Sequence, residues 1–459
     1  MVERIGGLPY WELRFDGQGD TDPVLRERLL TELPGQGVSD LFVFSHGWNN
    51  DPETAKRIYG RFFELVEPLL AQHGSDAARV GVAGVIWPSM AWLDEPIPDF
   101  PVEDGGAVSL GDVALSDGDL VTALKAIFPL ADQQRQLDEL AALLDERPDD
   151  PERLDDFHRL LKGLVESDPS GETAVEDAGE VAMLTDDAVE VYGRFLASSE
   201  VLLAGGGMAG DEEPAAGLSV ADPLRLDPYG AAGLADLGGR LWSGAKVALR
   251  QATYFVMKRR AGAVGQQGLG PLLGELSAVR PQLRVHLIGH SFGARLVSFA
   301  LAGLPPGLDP SPVKSLLLIQ GAFSHFAFAR TLPYNAGRAG ALAGQEARVD
   351  GPLVCCFSVH DTAVGVLYPV ASFSSREDAA SRSDLAYRWG AMGHDGAQNV
   401  DSDKVFILAV GKPYPLSRGR FLNVDAKDVV REGRPLAGAH SDIFHPELAW
   451  VAVSGAGLV

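Results

Sequence analysis

The sequence predicts an α/β protein with a doubly wound, mostly parallel sheet, interrupted by a large acidic, mainly helical insertion. Short apolar runs, of the kind buried on both faces of a parallel sheet, alternate with amphipathic helical stretches. One such run leads into Gly289-His290-Ser291-Phe292-Gly293, and a helical stretch follows at once. Between about residues 90 and 240 the alternation stops and acidic residues dominate.

The first part of the chain supplies three strands and two helices of this sheet. Residues 8–16 indicate an opening strand at a sheet edge, and residues 22–33 a short helix. The apolar run 41–44 indicates a doubly buried parallel strand. Residues 52–72 follow as an amphipathic helix, and residues 80–87 as another buried strand.

The middle of the chain differs in charge from the rest. Residues 94–240 hold 34 of the 63 Asp and Glu but only 9 of the 39 Lys and Arg, so the remainder is close to neutral. We therefore expect residues 91–239 to form a lid or cap inserted between the two parts of a core, 1–90 and 240–459. Its clearest helical patterns cover 131–146 and 152–166. A disordered acidic spacer is the alternative.

After the insertion the strand and helix patterns resume. The strands predicted here are 285–288, 313–320, 353–359, 405–410 and a short one at 421–424. The helices predicted here are 240–278, 294–301 and 446–453. The order of these patterns continues the βαβ arrangement of a parallel sheet.

Composition limits the classes of function. A net charge of −24 makes nucleic acid and anionic membrane surfaces poor partners. Without a membrane-length apolar run or a secretory signal pattern, we expect a cytoplasmic protein with no stable membrane anchor. Cys355 and Cys356 are adjacent in an apolar run, which favours buried thiols over a disulfide. We expect no metal and no cofactor, and the sequence leaves the oligomeric state open.

The pentapeptide at 289–293 has the G-x-S-x-G pattern of a nucleophile elbow, a sharp turn between a strand and a helix. Gly289 and Gly293 would leave room where a side chain would strike the neighbouring strand or helix. The turn would lift the Ser291 hydroxyl out of the sheet. It would also direct the Phe292 N–H towards negative charge that forms there. The same pattern occurs by chance in glycine-rich chains, and this one has 53 glycines.

A nucleophilic serine needs a base within hydrogen-bond reach and an acid that orients the base. In the doubly wound arrangement the acid follows the serine along the chain, and the histidine comes last. Asp361 directly follows the predicted strand 353–359, and His440 lies in a glycine-flanked loop near the C-terminus. We therefore expect Ser291, His440 and Asp361 to act together.

Other residues compete for these roles. His445 is the main alternative base, although Pro446 after it more plausibly starts a helix. Asp442 and Asp425 are alternative acids. The remaining histidines considered are too close to the serine in sequence or wrongly placed on their strand or turn: His286, His290, His360 and His394.

An oxyanion hole needs a second N–H donor besides Phe292. The turn after strand 41–44 is the expected source, with the Trp48 N–H as donor and Gly47 permitting the close approach. We expect His46 to brace this turn rather than to take part in catalysis. The Trp48 side chain is either a pocket wall or an ordinary core residue.

Taken together, four features resemble the α/β-hydrolase superfamily, and within it serine esterases and lipases with a His-Gly oxyanion turn. They are Phe44-Ser45-His46-Gly47-Trp48-Asn49, the pentapeptide at 289–293, Asp361 and Gly438-Ala439-His440. The resemblance covers about 40–90 and 240–459 and leaves out the acidic insertion. It implies an eight-stranded, mostly parallel sheet, a Ser-His-Asp triad and acyl transfer without a cofactor.

The expected function is therefore that of a serine hydrolase that cleaves a carboxylic ester, small or lipid-like, through an acyl-enzyme on Ser291. Three alternatives stay open. An amidase or peptidase, or an acyltransferase, would use the same triad. A non-catalytic scaffold of the same fold would instead bind a protein partner through the acidic insertion.

Overall fold

The computed structural model describes residues 2–89, 124–125, 128, 130–148, 150–167, 187–193, 231–364, 390–433 and 438–459. These residues form a nine-stranded sheet in the order β1-β2-β4-β3-β5-β6-β7-β9-β8. The strands are β1 (Glu3–Ile5), β2 (Leu8–Arg14), β3 (Asp40–Ser45), β4 (Val80–Ile86), β5 (Arg284–His290), β6 (Val313–Ile319), β7 (Leu353–Phe357), β8 (Ser402–Phe406) and β9 (Phe421–Asp425). Every neighbouring pair is parallel except β1 with β2.

Helices fill most of the connections between the strands. They are α1 (Pro23–Glu32), α2 (Pro52–Gln72), α3 (Ala131–Glu146), α4 (Pro151–Glu166), α5 (Ala231–Ala263), α6 (Gly270–Val279), α7 (Phe292–Gly303), the short α8 (Met392–Asp395) and α9 (Pro446–Gly455). A π-helical segment, Val264–Leu269, joins α5 to α6. None of the described helices combines the length and the apolar character that crossing a membrane would need.

The helices cover both faces of the sheet, which explains the continuous apolar runs of its strands. On β2, Trp11 and Leu13 belong to the cluster that contains α1 and α5 to α7, whereas Tyr10 faces the cluster of α2 and α9. This alternation follows from the two-residue period of a strand. The α/β class and the mostly parallel sheet with helices on both faces are thus confirmed.

Three details of the sheet differ from the predictions. The strand β2 is not at the edge, because β1 pairs with it in antiparallel register on its outer side. The sheet has nine described strands, not the eight that the resemblance implied. The predicted strand 405–410 is shifted, since β8 is Ser402–Phe406 and the apolar residues after it pack on the α2 and α9 side without forming a strand.

The described helices of the acidic segment pack on the sheet body. Helices α3 and α4 contact each other, and α4 contacts α5. The Trp242 indole N–H donates to the Pro148 carbonyl at 3.0 Å, and the Arg259 guanidinium to the Val165 carbonyl at 3.2 Å. Helix α5 runs across the predicted boundary at residue 240, and its apolar residues share one cluster with α3, α4 and α7. The division into core and insertion stays a prediction.

Strand register brings the carboxyl ends of the central strands together. Ser45 at the end of β3 is level with Gly289 on β5, and His290 is level with Ile319 on β6. The residues that follow β3, β5, β6 and β7 therefore leave the sheet side by side. Clefts for ligands in open α/β sheets form at this edge.

Candidate active site

Ser291 occupies the turn between β5 and α7 with a φ of 56° and a ψ of −124°. A positive φ is unusual for a residue with a Cβ and is typical of strained functional sites. The Ser291 N–H donates to the Ile319 carbonyl at 3.1 Å, and its own carbonyl accepts from the Ala322 N–H at 3.1 Å. A Cβ on Gly293 would overlap the Ser45 carbonyl oxygen, so the small residue expected there is needed for the turn to fit.

The three residues expected to act together are in contact. His440 Nε2 lies 2.8 Å from the Ser291 hydroxyl oxygen, and His440 Nδ1 lies 2.7 Å from Asp361 Oδ2. The Asp361 carboxylate on Nδ1 favours the tautomer with its proton on that nitrogen, which leaves Nε2 to accept from the serine. The side chain of His440 is 12% exposed and that of Asp361 is fully buried. Such an arrangement can remove the hydroxyl proton of a serine as it attacks.

Asp361 is held by donors on both carboxylate oxygens. Its Oδ1 accepts from the Val364 N–H at 3.2 Å, and its Oδ2 accepts from the Gln320 side-chain amide at 3.3 Å as well as from His440. A buried carboxylate without such donors would be costly. The three bonds keep the charge in a fixed position beneath the imidazole.

The loop that carries His440 is held by its neighbours through its backbone. The Ala439 N–H donates to the His360 carbonyl at 2.9 Å. The Ala439 carbonyl accepts from the Gln320 amide at 2.6 Å, and the His440 carbonyl from His290 Nε2 at 2.8 Å. The sequence pattern predicts neither contact, although the position of His290 at the end of β5 is a usable signal.

The turn after β3 lies directly against the serine, as expected for an oxyanion turn. A Cβ on Gly47 would lie 2.6 Å from the Ser291 Cβ, which shows how closely the two backbones approach. Phe292 begins α7, so its N–H is one of the first-turn groups that lack an acceptor within the helix. No hydrogen bond from the Trp48 N–H to another described residue is found. The oxyanion role of the Phe292 and Trp48 N–H groups stays a prediction.

Polar side chains brace that turn from behind. The Asn50 amide donates to the Trp48 carbonyl at 2.9 Å and to the Gly47 carbonyl at 3.3 Å. The Asn49 N–H donates to the Ser89 carbonyl at 2.8 Å. The helix that follows, α2, is capped by Asp51, whose carboxylate accepts from the Thr54 N–H at 2.7 Å.

His46 lies under the turn and is fully buried. Its Nδ1–H donates to the Gly47 carbonyl at 2.8 Å, and its ring stacks on Trp87 at 5.8 Å between centroids. Burial lowers the pKa of His46 to about 4, so the ring is neutral near pH 7. These contacts match the bracing role expected of it.

Three aromatic rings cluster together: Tyr254 of α5, Trp48 of the turn after β3, and Phe292, which follows Ser291 in the chain. Tyr254 has its ring centroid 5.1 Å from that of Phe292 and 6.1 Å from that of Trp48. Trp48 and Phe292 are themselves 6.1 Å apart. Helix α5 therefore contributes a ring that packs on the side chains of both residues whose N–H groups are candidates for the oxyanion hole.

The rival base and acids have other partners. His445 Nε2 lies 2.6 Å from Asp442 Oδ1, and the bond with Asp442 raises the pKa of His445. The other oxygen of Asp442 accepts from the backbone N–H groups of Arg431 and Glu432, at 2.9 Å each. Asp425 lies on β9, where the Lys404 ammonium is 3.5 Å away.

In comparisons with models of known protein families, with curated proteins and with solved structures, nothing matched this chain. Across the described ranges no group of three or more His, Cys, Asp or Glu residues could hold a metal ion. The functional interpretation therefore depends on the geometry of the site itself.

Proposed function

We propose that the protein is a serine hydrolase of the α/β-hydrolase kind that cleaves a carboxylic ester through an acyl-enzyme on Ser291. The observation that carries the proposal is the continuous chain of hydrogen bonds from Asp361 through His440 to Ser291, with distances of 2.7 and 2.8 Å. The strained elbow beneath the serine supports the same conclusion, because backbone strain is maintained where function needs it.

Acylation starts when Ser291 Oγ attacks the ester carbonyl carbon and its proton passes to His440 Nε2. The carbonyl oxygen becomes an oxyanion, which the N–H groups of Phe292 and Trp48 stabilise. The C–O bond to the alcohol then breaks, and the alcohol takes the proton from His440 as it leaves. Asp361 stabilises the imidazolium between these two transfers.

Deacylation repeats the sequence with water. His440 takes a proton from the water molecule, whose oxygen attacks the acyl carbon and forms a second oxyanion in the same place. The bond from the acyl carbon to Ser291 Oγ breaks, and Oγ takes the proton back. The carboxylic acid leaves, and the site returns to its starting state without a cofactor.

The substrate proposed is a small or lipid-like ester with an apolar acyl part. The aromatic side chains of Trp48 and Tyr254, which pack against Phe292 directly after Ser291, support this choice. Since Tyr254 belongs to the helix on which α4 packs, we extend the proposal to the acidic insertion as a cap over the acyl site. Deletion of residues 100–235 should then change the preference for acyl chain length, and an unchanged preference and rate would argue against a cap.

Labelling with a fluorophosphonate probe, combined with hydrolysis of 4-nitrophenyl acetate, tests the proposal. We expect the label on the peptide that contains Ser291, and we expect Ser291→Ala to lose the label and at least ~10³-fold of kcat while it stays folded. Thr31→Ala on α1 is the control, because its hydroxyl is exposed and is not part of the proposed site. Full ester turnover by Ser291→Ala would show that the nucleophile is wrong.

The same experiment separates the alternatives. Faster turnover of a 4-nitroanilide than of the ester would favour an amidase or peptidase. A rise in acyl transfer to an added alcohol or amine, without more hydrolysis, would favour an acyltransferase. A folded wild-type protein that takes no label would favour the non-catalytic scaffold.

A further inference from the structure

Two buried side chains hold the loop of His440, and neither belongs to the proposed triad. His290 is 2% exposed and Gln320 is 1% exposed. Both lie at the carboxyl edge of the sheet: His290 is the last residue of β5, and Gln320 immediately follows β6. Both donate to carbonyl oxygens of adjacent loop residues.

His290 acts as a hydrogen-bond donor to the backbone of the base. Its Nε2 lies 2.8 Å from the His440 carbonyl oxygen. Because a carbonyl oxygen only accepts, the bond requires a proton on Nε2 of His290. The two imidazole rings also lie side by side, 5.0 Å between centroids. His290 therefore limits how far the His440 backbone can move and how far the His440 ring can tilt.

Gln320 connects the acid to the loop that carries the base. Its side-chain amide donates to the Ala439 carbonyl at 2.6 Å and lies 3.3 Å from Asp361 Oδ2. Its φ is 47°, in the left-handed region that residues other than glycine seldom adopt. The Gln320 N–H meanwhile donates to the Cys356 carbonyl at 3.0 Å, so the strained backbone is fixed to the sheet.

His440 needs such support because it lies in a turn rather than in a helix or strand. A displacement of ~1 Å in a catalytic group can cost ~100-fold in rate. We propose that His290 and Gln320 are positioning residues that fix His440 between Ser291 and Asp361. This inference rests on the proposed function, since it assigns a role in the same reaction.

Variants that break each hydrogen bond with a small change of the side chain test the inference. His290→Phe keeps a ring beside His440 but cannot donate to its carbonyl. Gln320→Asn tolerates the positive φ but shortens the reach of the amide by ~1.5 Å. With 4-nitrophenyl acetate we expect kcat to fall on the order of 10- to 100-fold for each, with KM within about threefold of wild type.

A conservative variant and a loop control separate positioning from folding. His290→Gln places an amide N–H near the position of Nε2, so we expect it to recover kcat to within about fivefold of wild type. Ser441→Ala changes the same loop, but within the described structure the Ser441 hydroxyl has no hydrogen-bond partner. We expect that variant to keep wild-type kcat. Melting temperature and the rate of fluorophosphonate labelling are measured for every variant.

Two results would overturn the inference while the proposed function stands. One is wild-type kcat in His290→Phe and Gln320→Asn. The other is a fall in kcat that follows the melting temperature in every variant and that His290→Gln does not recover, which would make both residues merely structural. If the wild-type protein shows neither labelling nor turnover that depends on Ser291, the proposed function fails first, and the positioning role fails with it.

Discussion

Gly47 and Ser291 approach so closely that a Cβ on Gly47 would lie 3.1 Å from the Ser291 hydroxyl oxygen and 2.6 Å from its Cβ. Gly47→Ala should therefore push the oxyanion turn and the serine apart. We expect kcat for ester hydrolysis to fall on the order of 10²- to 10³-fold, which is the usual cost of losing one oxyanion donor. Steady-state kinetics with 4-nitrophenyl acetate measure this loss, and a variant with wild-type kcat would show that the turn has no catalytic role.

Gly60 offers the matched substitution in a place without contacts. It lies inside α2, and a Cβ there would meet nothing within 4 Å. Alanine restricts the unfolded chain more than glycine does, so we expect Gly60→Ala to raise the free energy of unfolding by about 0.5–1 kcal/mol. Urea denaturation measures this gain, and kcat should not change. A loss of activity as large as that of Gly47→Ala would show that the loss at Gly47 is not a local effect.

Local patterns were enough to predict the elements that carry the site. The apolar run of β3, the strand β5 and the glycine-rich turn after it each determine their own conformation, so the sequence placed Ser291 and Gly47 on adjacent turns. The position of Asp361 after β7 and the late histidine followed from chain order. Their contacts of 2.7 and 2.8 Å needed the folded chain.

What the sequence did not predict depends on contacts between distant segments. The hydrogen bond from His290 to the His440 carbonyl joins two residues that are 150 positions apart in the sequence. Edge strands were also poorly predicted. Phe406 is 57% exposed on β8, so its apolar run has no two-sided burial to mark the strand. Strand β1, which pairs with the outer side of β2, has only three residues, too few to show a strand pattern in the sequence.

The buried state of His46 predicts a loss of stability in acid. Burial lowers its pKa to about 4 in the folded protein, whereas in the unfolded chain it titrates near 6.5. Between these two values the unfolded state binds more protons, so the free energy of unfolding falls as the pH falls. His46 accounts for up to about 3 kcal/mol of that fall. Urea denaturation at several pH values measures the slope.

His46→Asn isolates this contribution. An asparagine amide can donate to the Gly47 carbonyl as His46 Nδ1 does, but it does not titrate. The dependence of the unfolding free energy on pH gives the number of protons taken up on unfolding. Between pH 4 and 6.5 we expect this number to be smaller by close to one in the variant. His286, whose pKa burial also lowers, remains in both proteins and cancels in the difference. An unchanged slope would mean that burial does not lower the pKa of His46 in the folded protein.

Tyr254 on α5 packs against Trp48 and Phe292. Its ring lies 5.1 Å from Phe292 and 6.1 Å from Trp48, so Tyr254→Ala removes the side chain that packs on both. If these rings form the wall of the acyl site, longer acyl chains lose more contact than acetate does. We expect the ratio of kcat/KM for 4-nitrophenyl octanoate to that for the acetate to fall roughly tenfold, a change of about 1.4 kcal/mol.

Tyr254→Phe keeps the ring and removes the hydroxyl, so it separates packing from hydrogen bonding. We expect it to keep the wild-type ratio, because the contacts with Trp48 and Phe292 are made by the rings. A ratio that falls equally in both variants would assign the selectivity to the hydroxyl. An unchanged ratio in Tyr254→Ala would mean that α5 supports the turn without touching the acyl chain. The proposed cap would then not act on the substrate through this helix.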